Sequence, residues 1–200
     1  MKKNINSKKL LAFASSLVAV LLLPITVFAA TDSENTTINA NIASVISVST
    51  SSTVALNVTP VSGGSQTSAS DTVSVSTNNS AGYTLTLANA DATTTLVNGG
   101  NTIAAHAGTQ GTPTALANNS WGYRVDSIGG FSTGGAVENN VTSSSITYAG
   151  VPATGAPNTI KTTAATASGD TTTVWYAVKA DTSKPNGTYS DTVTYTATTN

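Results

Sequence analysis
Over many short runs the side chains alternate between apolar and hydroxyl-bearing types, and a period of two belongs to a β-strand buried on one face. The last such run is the clearest: Tyr189, Val193, Tyr195 and Ala197 share one parity, while Thr192, Thr194, Thr196 and Thr198 share the other. Threonine suits an exposed strand face because it is β-branched yet wettable. Just before it, Val174, Tyr176 and Val178 oppose Trp175, Ala177 and Lys179. The turn between them is Lys184-Pro185-Asn186-Gly187, in which proline presets φ and glycine accepts the left-handed region.

The same reading gives about nine strands along the chain. Ile38, Ala40 and Ile42 are in phase with Ile46 and Val48, as one long strand or two short ones. Val54, Leu56 and Val58 follow, stopped by Pro60 and by the turn at Gly63 and Gly64. Val73 and Val75 precede Tyr83, Leu85 and Leu87, and the short link over residues 78–82 predicts a hairpin between them. Leu96 with Val97 and Ile103 with Ala105 flank Asn98-Gly99-Gly100-Asn101, a second hairpin turn. Residues 106–120 read as a loop, Trp121, Tyr123 and Val125 as a strand, and Ile146 with Tyr148 as another. No helical spacing follows the first thirty residues. Short strands punctuated by Gly, Pro and Asn predict an all-β chain, a single antiparallel β-sandwich of immunoglobulin-like or jelly-roll-like kind.

Lys2, Lys3, Lys8 and Lys9 precede an apolar run over residues 10–28, the pattern of a signal-peptide helix. The expected cut follows Ala29, with Ala30 as the alternative, leaving residues 30–200 as one β-sandwich domain. Uncut, the same run would be long enough to anchor the chain in a bilayer; a membrane is a partner only in that case. Either way the protein is expected to be secreted, extracellular or attached to the cell surface.

Removing the leader takes four of the eight basic residues and none of the nine acidic ones, a formal charge of 4 − 9 = −5. The remaining cations, Arg124, Lys161, Lys179 and Lys184, are scattered and form no stripe to follow phosphates, so nucleic acid is not an expected partner. Cysteine is absent, so the exported chain must be held by packing.

Catalytic chemistry finds few groups. His106 is the sole histidine, in a small-residue loop where a solvated side chain is expected. One histidine and no cysteine are too few soft ligands for zinc or copper, and no cofactor is expected. Glu34 and Glu138 are the only glutamates, and Asp71, Asp170, Asp181 and Asp191 read as strand starts or turns. Glu138-Asn139-Asn140, or Asp91 with Asn98, offer few oxygen ligands for calcium. Trp121 is in phase with Tyr123 and Val125 and is expected in the core. Trp175 lies on the opposite face from Val174, Tyr176 and Val178; with Lys179 it is the candidate contact surface if that face is open. A self-made amide crosslink from Lys179 to an asparagine would need a buried acid beside it.

Two segments carry a family resemblance: Val73-Ser-Val-Ser-Thr-Asn-Asn-Ser-Ala-Gly-Tyr-Thr-Leu-Thr-Leu87, and Pro185-Asn-Gly-Thr-Tyr-Ser-Asp-Thr-Val-Thr-Tyr-Thr-Ala197. Together they resemble bacterial surface β-sandwiches of the WxL type, and the closing segment is also similar to spore-coat-U-like and fimbrial secreted domains. The resemblance implies a secreted protein held non-covalently at a Gram-positive-type wall, sometimes with other envelope proteins. Where that family has Trp-x-Leu, this chain has Tyr83-Thr84-Leu85 and Tyr195-Thr196-Ala197. The expected function is a non-catalytic cell-surface or wall-associated structural or binding protein, whose partners are cell-wall polymer, glycan or other envelope proteins. The alternatives are a fibre subunit that adds a strand to a second copy, making a homo-oligomer, and a carbohydrate-binding module.

Overall fold
The computed structural model describes residues 28–200. The expected leader lies outside the described residues except for Phe28 and Ala29. Two units are distinguished, Met1–Asn41 and Ile42–Asn200. Of the first, residues 28–41 are exposed and belong to no strand. The second carries every strand, and no helix occurs among the described residues.

Twelve strands follow one another: β1 (Ile46–Ser49), β2 (Ser65–Thr77), β3 (Tyr83–Asn89), β4 (Leu96–Asn98), β5 (Asn101–Ala105), β6 (Thr114–Ala115), β7 (Ser120–Arg124), β8 (Glu138–Val141), β9 (Thr147–Tyr148), β10 (Asn158–Thr162), β11 (Ala167–Ala180) and β12 (Val193–Thr199). The larger sheet runs β1-β2-β11-β7-β5-β4, with β8 paired to one end of β2. A second sheet runs β10-β3-β12, and β6 with β9 forms a small ribbon. The long β2–β11 ladder, in register from Ser65↔Ala180 to Val75↔Asp170 and continuing past a bulge to Thr77↔Ala167, is the spine of the larger sheet.

The expected alternation sets the core. Val73 and Val75 of β2, Tyr83, Leu85 and Leu87 of β3, and Val174, Tyr176 and Val178 of β11 are all buried and belong to one apolar cluster. Both larger sheets contribute to it, with Trp121 and Tyr123 of β7 and Ile160 of β10. Full burial of such side chains contributes about 1.5–3 kcal/mol each. The two segments that carry the WxL resemblance meet in the smaller sheet, where Tyr195 pairs with Leu87 and Ala197 with Leu85.

Four expectations change. The 78–82 link is no hairpin: β2 and β3 belong to different sheets, and the link carries the chain between them. Gly82 turns it at φ +84°, in a spot where a Cβ would lie 2.3 Å from the Thr163 carbonyl. The sheet is not wholly antiparallel, because β5 runs parallel to β7 through Ala104↔Ser120 and Ala105↔Trp121. Residues 53–58 keep their alternation, with Val54, Leu56 and Val58 packed on the core, yet join no ladder. Pairing among residues 38–48 begins only at Ile46. The Gly99-Gly100 hairpin forms as expected, with Asn98 opposite Asn101.

Candidate functional site
Trp175 and Lys179 lie on the outer face of β11, and both are half-buried. Between them Ala177 is fully buried against Leu116 and Tyr148, because the β6–β9 ribbon crosses the sheet there. The two side chains therefore sit on opposite sides of that ribbon. Trp175 lies under the loop after β7, where a Cβ on Gly135 would come within 2.2 Å of the indole Nε1. Lys179 packs beside Gly64 and Asn118, and Asn118 donates to Asp181 at 2.5 Å. Asp181 is not the buried acid that an amide crosslink requires.

The loop over Trp175 is organised by Arg124, which is 2% exposed. Its Nε donates to Asp126 Oδ1 at 2.6 Å, its other nitrogens donate to the carbonyls of Ser132 and Thr147, and its guanidinium lies 5.8 Å from the Phe131 ring centre. Asp126 in turn accepts from the Gly134 and Gly135 amides. A depression of about 460 Å³ opens beside this loop, lined by Asp126, Ile128, Ile160, Lys161, Thr172 and Trp175 among others. The Thr172 hydroxyl there is buried and unpartnered.

His106 is buried rather than solvated, which overturns the expectation from its small-residue surroundings. Its Nδ1 accepts from the Ala117 amide at 3.3 Å, so Nε2 carries the proton and donates to Thr114 Oγ1 at 2.8 Å. The ring thus satisfies two polar groups of the loop that folds over it, a contact invisible to hydrophobic patterning. Burial holds its pKa below the ordinary value of 6.5, which keeps the imidazole neutral at pH 7.

The carboxylates are largely engaged. Asp170 accepts from Lys161 at 2.6 Å and from the Tyr83 hydroxyl at 2.8 Å. Glu138 accepts from Gln66, and Asn140 Oδ1 from the Thr59 amide. Asp91 accepts from the Thr93 amide. Among the described residues no three histidine or acidic side chains gather to hold a metal.

Asp71, expected at a strand start or turn, stands inside β2 on the core-facing side and is 4% exposed. It accepts from the Thr50 hydroxyl and from the Ser51 amide at 3.1 Å, which pins the chain leaving β1. Beside it, Tyr176 and Tyr195 share a 2.7 Å hydroxyl contact. Burial pushes the Asp71 pKa up, but these donors outweigh it and hold the group below 3.8. Asp126 and Asp170 are also lowered, Asp126 against its burial by the Gly135 amide and Arg124, and Asp170 first by Lys161.

These shifts fix the sign of the pH dependence. A group whose folded pKa is depressed contributes stability above its unfolded value, and that stability is lost as pH falls through the folded value. Urea midpoints should therefore change little above pH 6.5, decline slightly as His106 protonates, and fall steeply below pH 3.8 as the three aspartates do. Asp71→Asn should flatten the acid limb; an unchanged limb would mean that Asp71 is not held as described.

Asp71 and the tyrosine pair border a groove of about 900 Å³. One wall is the chain from Thr50 to Pro60; the other is residues 184–193 with Tyr195. Its floor includes Ile103, Trp121, Tyr176, Val178 and Ala180, the core-facing side of the larger sheet. Sequence reasoning did not find this groove, because its walls come from segments more than a hundred residues apart. No family model matches the chain, and neither a curated protein nor a solved structure shows significant similarity to it.

Proposed function
We propose that this chain is an exported, non-catalytic structural or binding module of a bacterial cell surface, built as a β-sandwich, and that its groove takes extended polypeptide. The observation that carries the reading is the character of the groove walls. β12 is the edge strand of its sheet, and residues 50–60 join no ladder, so, apart from the Ser51 and Thr59 amides and the Asn57 and Thr59 carbonyls that bond to side chains, both walls present backbone donors and acceptors above an apolar floor. Backbone pairing along such walls, with alternate side chains entering the floor, is how a sheet edge binds a strand. The basic and apolar opening of the chain and the WxL resemblance support a position outside the cytoplasm, at the wall. Fractionation of cells followed by N-terminal sequencing tests this. The expected result is a mature protein beginning at Ala30 or Thr31 in the wall or medium fraction; an uncut chain in the cytoplasm would contradict it.

A second reading is glycan binding at the depression beside Trp175, supported by the half-buried indole that lines it. A sugar would stack on the ring. On a glycan array the protein should then retain a ligand that Trp175→Ala loses about tenfold or more. An array with no ligand removes this reading.

A further inference from the structure
We infer that the outer face of the β10-β3-β12 sheet is an ice-binding surface, a function beyond the one proposed above and separate from the groove. The register of the sheet sets threonine beside threonine in two rows of three. Thr162 pairs with Thr84 and Thr84 with Thr198; Thr159 pairs with Thr86 and Thr86 with Thr196. Residues directly opposite in an antiparallel ladder share a face. Here it is the face away from Leu85, Leu87 and Ile160, which lie in the core. Thr194 continues the array along β12, opposite Ala88.

β10 reaches this arrangement through a bulge. Thr159 and Thr162 are three residues apart, so strict alternation would turn one of them into the core. The register shifts between Thr159 and Lys161, and the extra residue returns Thr162 to the outer face. Lys161 is thereby turned the other way, where its Nζ donates to Asp170 and to the Thr171 carbonyl. It is the one charged residue of the three strands, so the outer face carries no charge.

A merely wettable face would not need this composition. The outer side of the larger sheet is also rich in hydroxyls, but serine prevails there: Ser47 and Ser49 on β1, and Ser70, Ser74 and Ser76 on β2. Strand propensity favours threonine on both faces alike, yet only the smaller sheet excludes serine altogether.

What threonine adds is a methyl group and a stiff χ1. Each side chain holds hydroxyl and methyl in a fixed orientation, so the rows repeat as a lattice, about 4.7–4.9 Å between strands and about 6.4–6.8 Å between alternate residues. Water oxygens on a prism face of hexagonal ice repeat in two perpendicular directions at nearly these distances. The shorter ice repeat is slightly below the strand spacing, and the longer is slightly above the two-residue rise. Hydroxyls so placed can bond to the first lattice waters, while the methyls keep disordered water from the gaps between them. Thr84 and Thr86 donate to Asn200 and to the Thr196 carbonyl but keep acceptor capacity, and the other five threonines are exposed. A sugar polymer would call for an aromatic platform, and Tyr83 and Tyr195 both turn to the core side. Neighbouring strands twist by about 20–25°, which confines the matched patch to these three strands and makes adsorption, rather than a large freezing-point depression, the effect to measure.

The test grows an ice hemisphere slowly from a dilute solution of the mature protein and measures the share of protein taken into the ice. The wild type should be included, whereas a protein without affinity is pushed ahead of the front. Thr196→Tyr and Thr159→Tyr, one on each edge strand, set a large ring into the array and should each reduce inclusion about tenfold or more. Both sites are exposed and tyrosine suits a strand, so circular dichroism and the urea midpoint should not change. Ser74→Tyr, on the outer side of the larger sheet, should be included like the wild type. Exclusion of the wild type, undiminished inclusion of the folded threonine variants, or an equal loss in Ser74→Tyr would each overturn the inference. None of these results bears on the groove or on the position of the protein at the wall.

Discussion
Arg124→Ala is expected to destabilise the protein by about 3–5 kcal/mol, read from the urea midpoint at constant slope. The side chain is buried and serves several groups at once: Asp126, the carbonyls of Ser132 and Thr147, and the Phe131 ring. Truncation leaves the two carbonyls without their donor, at about 1–3 kcal/mol for each one that stays buried. It also leaves a void under the loop that covers Trp175. Arg124→Lys should recover only part of the loss, because an ammonium has no planar fork to reach three acceptors. A red shift of tryptophan emission in the folded alanine variant would report the loop lifting from Trp175. A loss below about 1 kcal/mol would mean that the loop is held by something else.

On β3, Leu85→Ala should cost about 2–5 kcal/mol, whereas Thr86→Ala, one residue away, should stay within about 0.5 kcal/mol. Leu85 is fully buried in the common core, so truncation removes transfer energy and leaves a cavity. Thr86 points to the other face, and its one side-chain hydrogen bond is a 3.4 Å contact to the Thr196 carbonyl. The contrast measures the alternation directly: equal losses at the two positions would deny that β3 has one dry face.

The hydrophobic pattern made the centre of the fold legible. Tyr83, Leu85 and Leu87, Trp121 with Tyr123, and Val174 with Tyr176 and Val178 all turn inward as their parity requires. What it missed has a common cause. The first four residues of β2, Ser-Gln-Thr-Ser, include no apolar side chain, yet Ser65, Gln66, Thr67 and Ser68 are all buried. Their side chains bond to groups that come from elsewhere in the chain: Ser68 to the Ala136 carbonyl, Thr67 to that of Asn57, and Gln66 to Glu138. Buried hydroxyls with satisfied bonds look like surface in a sequence. The same blindness hid His106 and Asp71, whose partners lie in the two-residue strand β6 and in the segment after β1.

The 78–82 link failed for a different reason. A Gly-containing connection between two alternating runs fits a hairpin and a crossing between sheets equally well, and only the packing of Tyr83 and its neighbours against β11 chooses between them. For the candidate site, Trp175 and Lys179 were legible as outward-facing, but the β6–β9 ribbon that separates them was not. Two-residue strands carry too few side chains to show a period.

Residue-resolved amide exchange on the mature protein addresses the central claim, that two sheets close over one core beside an open groove. Amides in the β2–β11 ladder and in β3 should be protected by orders of magnitude, and those of residues 53–58, which join no ladder, should exchange close to the unprotected rate. Protection of residues 53–58 in the monomer equal to that of β3, or no protection in β3 and β11, would contradict the account.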